Sequence, residues 1–133
     1  MPLGRRFRAL KLWFLIREQG VSGLQARLRR DLANAQWLAD QVRGESGWRL
    51  LAPVPLQTLC VRHEVDSGAA NDGDALDRHT LAWVERVNRS GDAYLTAAVL
   101  DGRWMVRVSI GAEATERSHV EALWATMRRE AER

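Results

Sequence analysis

The chain has 133 residues, 46% hydrophobic and 28% charged, with a net charge of +3. That is the size and composition of one globular domain able to bury a core, and no apolar run approaches the ~20 residues of a membrane-spanning helix. A single cysteine, Cys60, excludes an internal disulfide and a multi-cysteine metal centre. The basic N-terminus lacks a signal peptide's apolar stretch, so a cytoplasmic protein is expected.

Charge is unevenly spread. Residues 1–43 hold nine Arg/Lys against three acids, whereas residues 44–133 hold eleven against fourteen. A basic front end is one mark of nucleic-acid binding, but the aromatic-basic interleaving of a stacking platform is missing, and arginines buttressing two helices are the simpler reading. Neither nucleic acid nor membrane is expected as a partner. Lys11 is the one lysine in the chain.

The spacing predicts a first helix over Leu3 to Gln19, with Phe7, Leu10, Phe14 and Arg17 on one face, broken by Gly20 to Gly23. Ser22 followed by Gln25 resembles a capping box, so a second helix should start near Gly23. Leu24, Leu28, Leu32, Ala35, Leu38 and Val42 recur at spacings of three and four until Gly44. The first helix is apolar through its middle and basic at its start, as if a partner layer were lacking. From Trp48 to Val54 the pattern alternates and is interrupted by Pro53 and Pro55, as at a sheet edge or bend. Thr58 to His63 reads as a second strand with Cys60 inside its core, and Val65 to Gly73 as a polar loop. Asp74 can cap a helix that turns Leu76, Thr80, Trp83, Val84 and Val87 inward.

Asp101-Gly102 is a strong two-residue hairpin signal, because a type I′ turn needs positive φ at both positions. The turn fixes the register: Leu100 faces Arg103, Val99 faces Trp104, Ala97 faces Val106, Thr96 faces Arg107. Alternation then puts Leu95, Ala97, Val99, Trp104, Val106, Val108 and Ile110 on one face. Thr96, Ala98, Leu100, Arg103, Met105 and Arg107 take the other, with an arginine in mid-strand. Thr115 should cap a last helix bearing Val120, Leu123, Trp124, Met127 and Ala131. The expected order is α-α-β-β-α-β-β-α, an α+β fold whose four mostly antiparallel strands are covered by helices.

No catalytic constellation accompanies this plan. His63, His79 and His119 read as isolated, no ligand set has metal spacing, and Gly44 to Gly47 is a turn rather than a phosphate loop.

Three blocks change that picture: Pro2-Leu3-Gly4-Arg5-Arg6-Phe7-Arg8-Ala9-Leu10-Lys11-Leu12-Trp13, Leu59-Cys60-Val61-Arg62, and Tyr94-Leu95-Thr96 with Val106-Arg107-Val108-Ser109-Ile110-Gly111, His119-Val120 and Trp124. In that order and spacing they resemble the C-terminal part of the pyridoxal-phosphate-dependent group II decarboxylases, aromatic-L-amino-acid decarboxylases in particular. The resemblance implies a fold-type I enzyme, dimeric, that removes the α-carboxylate of a cofactor-bound amino acid as CO₂. It implies a helical segment 1–44 linking a large domain to a C-terminal α+β domain, 45–133. The family's Schiff-base lysine follows a histidine; Lys11 follows Leu10 and does not match. A chain without that anchor is expected to be an inactive fragment, with no catalytic, cofactor-anchoring or metal-ligating residue of its own.

Three residues are implied at the substrate. Gly4 matches a pocket-lining position where glycine leaves room for an aromatic, or serves the backbone at a helix start. Arg107 matches a clamp for the substrate α-carboxylate, or pairs with an acid at a domain interface. Thr96 stands opposite as its partner, while His119 and Trp124 match the family pattern as packing residues. The rival readings are a non-catalytic binding module and a basic nucleic-acid-binding domain.

Overall fold

The computed structural model describes residues 8–64 and 73–133. Gly4, the start of the first predicted helix and the loop from Val65 to Asp72 lie outside those residues. The elements are α1 (Arg8–Gly44), β1 (Trp48–Leu50), β2 (Thr58–His63), α2 (Gly73–Ser90), β3 (Thr96–Leu100), β4 (Arg103–Ser109) and α3 (Arg117–Ala131). The two helices expected before the sheet are one element, kinked where Gly20 adopts φ 65°, ψ 173°. The break is a single residue wide because only glycine takes this conformation without a Cβ penalty, and helical geometry resumes at once.

The four strands form one antiparallel sheet in the order β1-β2-β4-β3. Asp101 and Gly102 both have positive φ, 51° and 76°, as the type I′ turn requires. The β3–β4 register is the derived one, from Leu100↔Arg103 to Thr96↔Arg107. β1 is shorter than the alternation suggested. It ends at Leu50, Leu51 N–H still reaches the Cys60 carbonyl at 2.9 Å, and the prolines at 53 and 55 have no N–H to continue the ladder.

The core lies on one side of the sheet. Leu59, Val61, Val106, Val108 and Leu95 meet Ala35, Leu38 and Val42 of α1, Trp83 and Val87 of α2, and Val120, Trp124 and Met127 of α3. Trp48 of β1 joins them, edge-on to Trp83 at 5.5 Å and to Trp124 at 5.0 Å between ring centroids. Three details depart from the sequence pattern. Val99 has the core-face parity but sits next to the turn on the edge strand, 55% exposed. Met105 has the opposite parity yet is buried. Cys60 is half-buried on the face away from the core, since its neighbours Leu59 and Val61 take the inward positions.

Helix α2 holds the hairpin at both ends, beside the start of β3 and beside the turn. The Asn88 side chain accepts from Leu95 N–H at 2.7 Å and donates to the Leu95 carbonyl at 3.0 Å. At the other strand Asp77 accepts from Trp104 N–H at 2.9 Å and from Arg103 at 3.4 Å. The bonds to Leu95 and to Trp104 N–H satisfy main-chain groups with no ladder partner. The last helix is capped one residue later than the sequence suggested: Glu116 is the cap, and its N–H donates to His119 Nδ1 at 3.0 Å.

Two expectations follow. Leu59→Ala should lower the unfolding free energy by about 2–5 kcal/mol, while Val99→Ala should change it by under ~0.5 kcal/mol, measured by urea denaturation. Equal effects would contradict the one-sided core. Asn88→Ala leaves the Leu95 amide and carbonyl unpaired and should cost about 1–3 kcal/mol in the same measurement; an unchanged midpoint would remove the clamp.

Candidate functional site

The open sheet face follows from the register. With helices on one side only, every second residue of β2, β3 and β4 points the other way. Cys60 pairs with Arg107, and Arg107 with Thr96, so these three form one row across the three strands. The next row is Thr58 beside Ser109, their hydroxyls 3.3 Å apart. Beyond it opens a cleft of about 490 Å³ lined by Leu56, Gln57, Thr58, Ser109, Ile110, Gly111 and Ala112.

Four arginines lie on the strands, and three are engaged. Arg49 pairs with Glu64, and Arg62 donates from Nε to the Trp104 carbonyl at 3.0 Å. Arg103 reaches back to Asp74 and Asp77 at the start of α2. Arg107 is exposed, and among the described residues its guanidinium has neither a hydrogen bond nor an ion pair. A planar fork of donors, held on a strand and left open, matches a carboxylate's two oxygens. The structure thus brings Arg107 and Thr96 together as cross-strand neighbours. Gly4 lies outside the described residues.

The remaining titratable groups do not join this face. The histidines read as isolated are not: His63 Nδ1 and His79 Nε2 are 2.9 Å apart. The sequence signal was weak, because the two sit on different elements 16 residues apart. The pair lies on the helix side, where His63 is opposite Trp48 in the β1–β2 ladder and its ring centroid is 4.9 Å from the indole. Burial holds the proton affinity of both rings below the ordinary value, partly offset at His63 by Glu132 and reinforced at His79 by His63 and Arg86. His119 is exposed and spent on the α3 cap, whereas Trp124 is buried in the core. Among the described residues no three His, Cys, Asp or Glu side chains could hold a metal ion. Lys11 is exposed on the first half of α1. The open face can therefore bind and orient an anion; among the described residues its strand positions carry no lysine, histidine or carboxylate, and the side chains flanking Arg107 in its row are the Cys60 thiol and the Thr96 hydroxyl.

Comparison with known proteins places this arrangement. Residues 1–64 match the model of the pyridoxal-dependent decarboxylase conserved domain. Tryptophan decarboxylase 1 of Oryza sativa subsp. japonica is 35% identical over 131 residues, 96% of this chain and 25% of that protein. Among solved structures, Oryza sativa TDC with PLP and tryptamine superposes with a TM-score of 0.88 at 32% identity, covering 99% of this chain and 28% of that one. A 4-hydroxyphenylacetaldehyde synthase of Rhodiola rosea gives a TM-score of 0.85, also at 32% identity, with coverage of 99% and 28%. The chain spans about a quarter of the length of the relatives it matches.

Pyridoxal phosphate is the family's cofactor, and the residues here do not fit it as an anchor. A Schiff base needs a lysine amine, and Lys11 is exposed on α1, after Leu10 rather than a histidine. In its antiparallel sheet, its helical cover and an alignment that runs over nearly its whole length, the chain resembles a quarter-length part of the pyridoxal-dependent decarboxylases.

Proposed function

We propose that this chain serves as the C-terminal domain of a pyridoxal-phosphate-dependent carboxy-lyase acting on aromatic L-amino acids, and that Arg107 receives the substrate α-carboxylate. The observation that carries the reading is the unpaired guanidinium in mid-strand, flanked by Cys60 and Thr96, on a face without helices. Thr96 walls the arginine stem on one side, and Gly4 leaves room for the aromatic ring. The relatives' printed names include tryptophan decarboxylases and an aldehyde synthase. Each of those names specifies an aromatic compound.

On this reading residues 45–133 are the domain proper, and residues 1–44 link it to the large domain of a longer protein, a cytoplasmic homodimer. The N-terminal half of α1 supports the link. Leu12, Trp13, Phe14 and Ile16 lie side by side on successive faces of the helix, with Trp13 54% and Phe14 56% exposed. A helix apolar all round needs cover on more than one side. The basic residues of α1 favour this role over nucleic-acid binding, since Arg27 and Arg30 donate to the Gly111 and Glu113 carbonyls. No helix among the described residues is long and apolar enough to cross a membrane.

The domain alone supplies recognition without the cofactor's anchor. The purified chain, given pyridoxal phosphate and tryptophan, should yield no tryptamine by chromatography; turnover would overturn its assignment as a recognition domain. In a rice tryptophan decarboxylase whose matching quarter is replaced by this chain, Arg107→Lys should reduce kcat/KM by about fivefold to 150-fold. That range is the ~1–3 kcal/mol of a lost bidentate charged contact. Unchanged kinetics would leave Arg107 a structural residue.

A further inference from the structure

His63 closes β2 and His79 lies in the second turn of α2, so their contact ties the start of that helix to the sheet. A nitrogen-to-nitrogen hydrogen bond needs one ring to donate and the other to accept. The bonded pair therefore carries at most three protons on its four ring nitrogens: one shared, and one on each outer nitrogen. Two neutral imidazoles fill two of these places, and one further proton fits the third. A fourth must sit on the accepting nitrogen, which ends the bond and leaves two imidazolium rings face to face.

We propose that the His63–His79 pair is an acid-released latch that keeps the first half of α2 on β2 through uptake of one proton and opens on uptake of the second. The surroundings favour opening at His79 more than at His63. Arg86 of α2 acts on His79 and opposes its charging, while Glu132, just after α3, acts on His63 and favours it. From β1 the pair meets only the neutral Trp48 ring, and Glu64, next in the chain, is occupied by Arg49.

The sign of the pH dependence follows from the direction of both shifts. Each folded histidine binds its proton less readily than the unfolded reference of 6.5. Stability from the pair is thus complete above that value and is lost as pH falls through the folded values. The latch also has a defined reach. Asp77, two residues from His79, holds Trp104 N–H, whereas Asn88, near the far end of α2, holds Leu95. Opening should loosen the start of β4, beside the turn, and spare the start of β3.

The test is amide hydrogen exchange of the 133-residue chain by NMR between about pH 7.5 and about pH 4.5, corrected for intrinsic rates, with the imidazole ¹⁵N shifts followed in the same samples. Protection of residues 73–80 and of Trp104 should fall by up to tenfold per pH unit once the second proton binds, with Leu95 unchanged. The two rings should titrate in two separate steps, the second coinciding with that loss. His79→Gln, whose amide can hold one hydrogen bond and cannot charge, should show a flat profile. If that variant fails to fold, the wild-type shifts decide. A single shared step near 6.5 with undiminished protection, or the same acid sensitivity in His79→Gln, would overturn the proposal.

Discussion

Everything on the open face depends on a sheet whose helices all lie on one side. Once Leu59, Val61, Val106 and Val108 are committed to that side, the pleat leaves Cys60 and Arg107 no other direction. A one-residue slip of β4 would bury the guanidinium without a partner and expose two core valines, at a cost of several kcal/mol. The Asp101-Gly102 turn prevents that slip locally, and the tryptophan cluster of Trp48, Trp83 and Trp124 prevents it globally by locking β1, α2 and α3 against the same face. The arginine is positioned by the core it does not touch.

Helix α2 converts this arrangement into a rigid one. A two-stranded hairpin is marginal alone, and here its two ends are pinned by side chains of one helix, Asn88 before β3 and Asp77 beside the turn at the start of β4. The same helix is tied to β2 through His79. A guanidinium that binds a carboxylate bidentately must keep its stem still, and the strand under Arg107 is braced from three directions. Loosening any brace would be felt as lost orientation before it was felt as unfolding.

Much of this could be read from the residues. The turn dipeptide gave the hairpin and its register, and alternation put Arg107 and Thr96 on the same face, because those signals are local and depend on backbone geometry alone. The departures have one cause, which is that period cannot report where a neighbouring element stops. Val99 keeps the inward parity but is exposed on the edge strand beside the turn, and Met105 keeps the outward parity but is buried. The kink at Gly20 occupies one residue where a glycine-bounded break of four was expected, and Glu116 rather than Thr115 caps α3. The histidine pair was invisible for a further reason: it joins a strand end to a helix turn, and no spacing rule relates the two. Function was legible only through the family likeness, since no local spacing in the chain marks a catalytic constellation.

The account is tested most directly by a crystal structure of a complete decarboxylase carrying this domain, with an unreactive aromatic carboxylate bound. The expected result is the Arg107 guanidinium within hydrogen-bonding distance of both carboxylate oxygens, its stem still between Cys60 and Thr96. An Arg107 paired with an acidic side chain of another domain, and a ligand carboxylate held elsewhere, would contradict it.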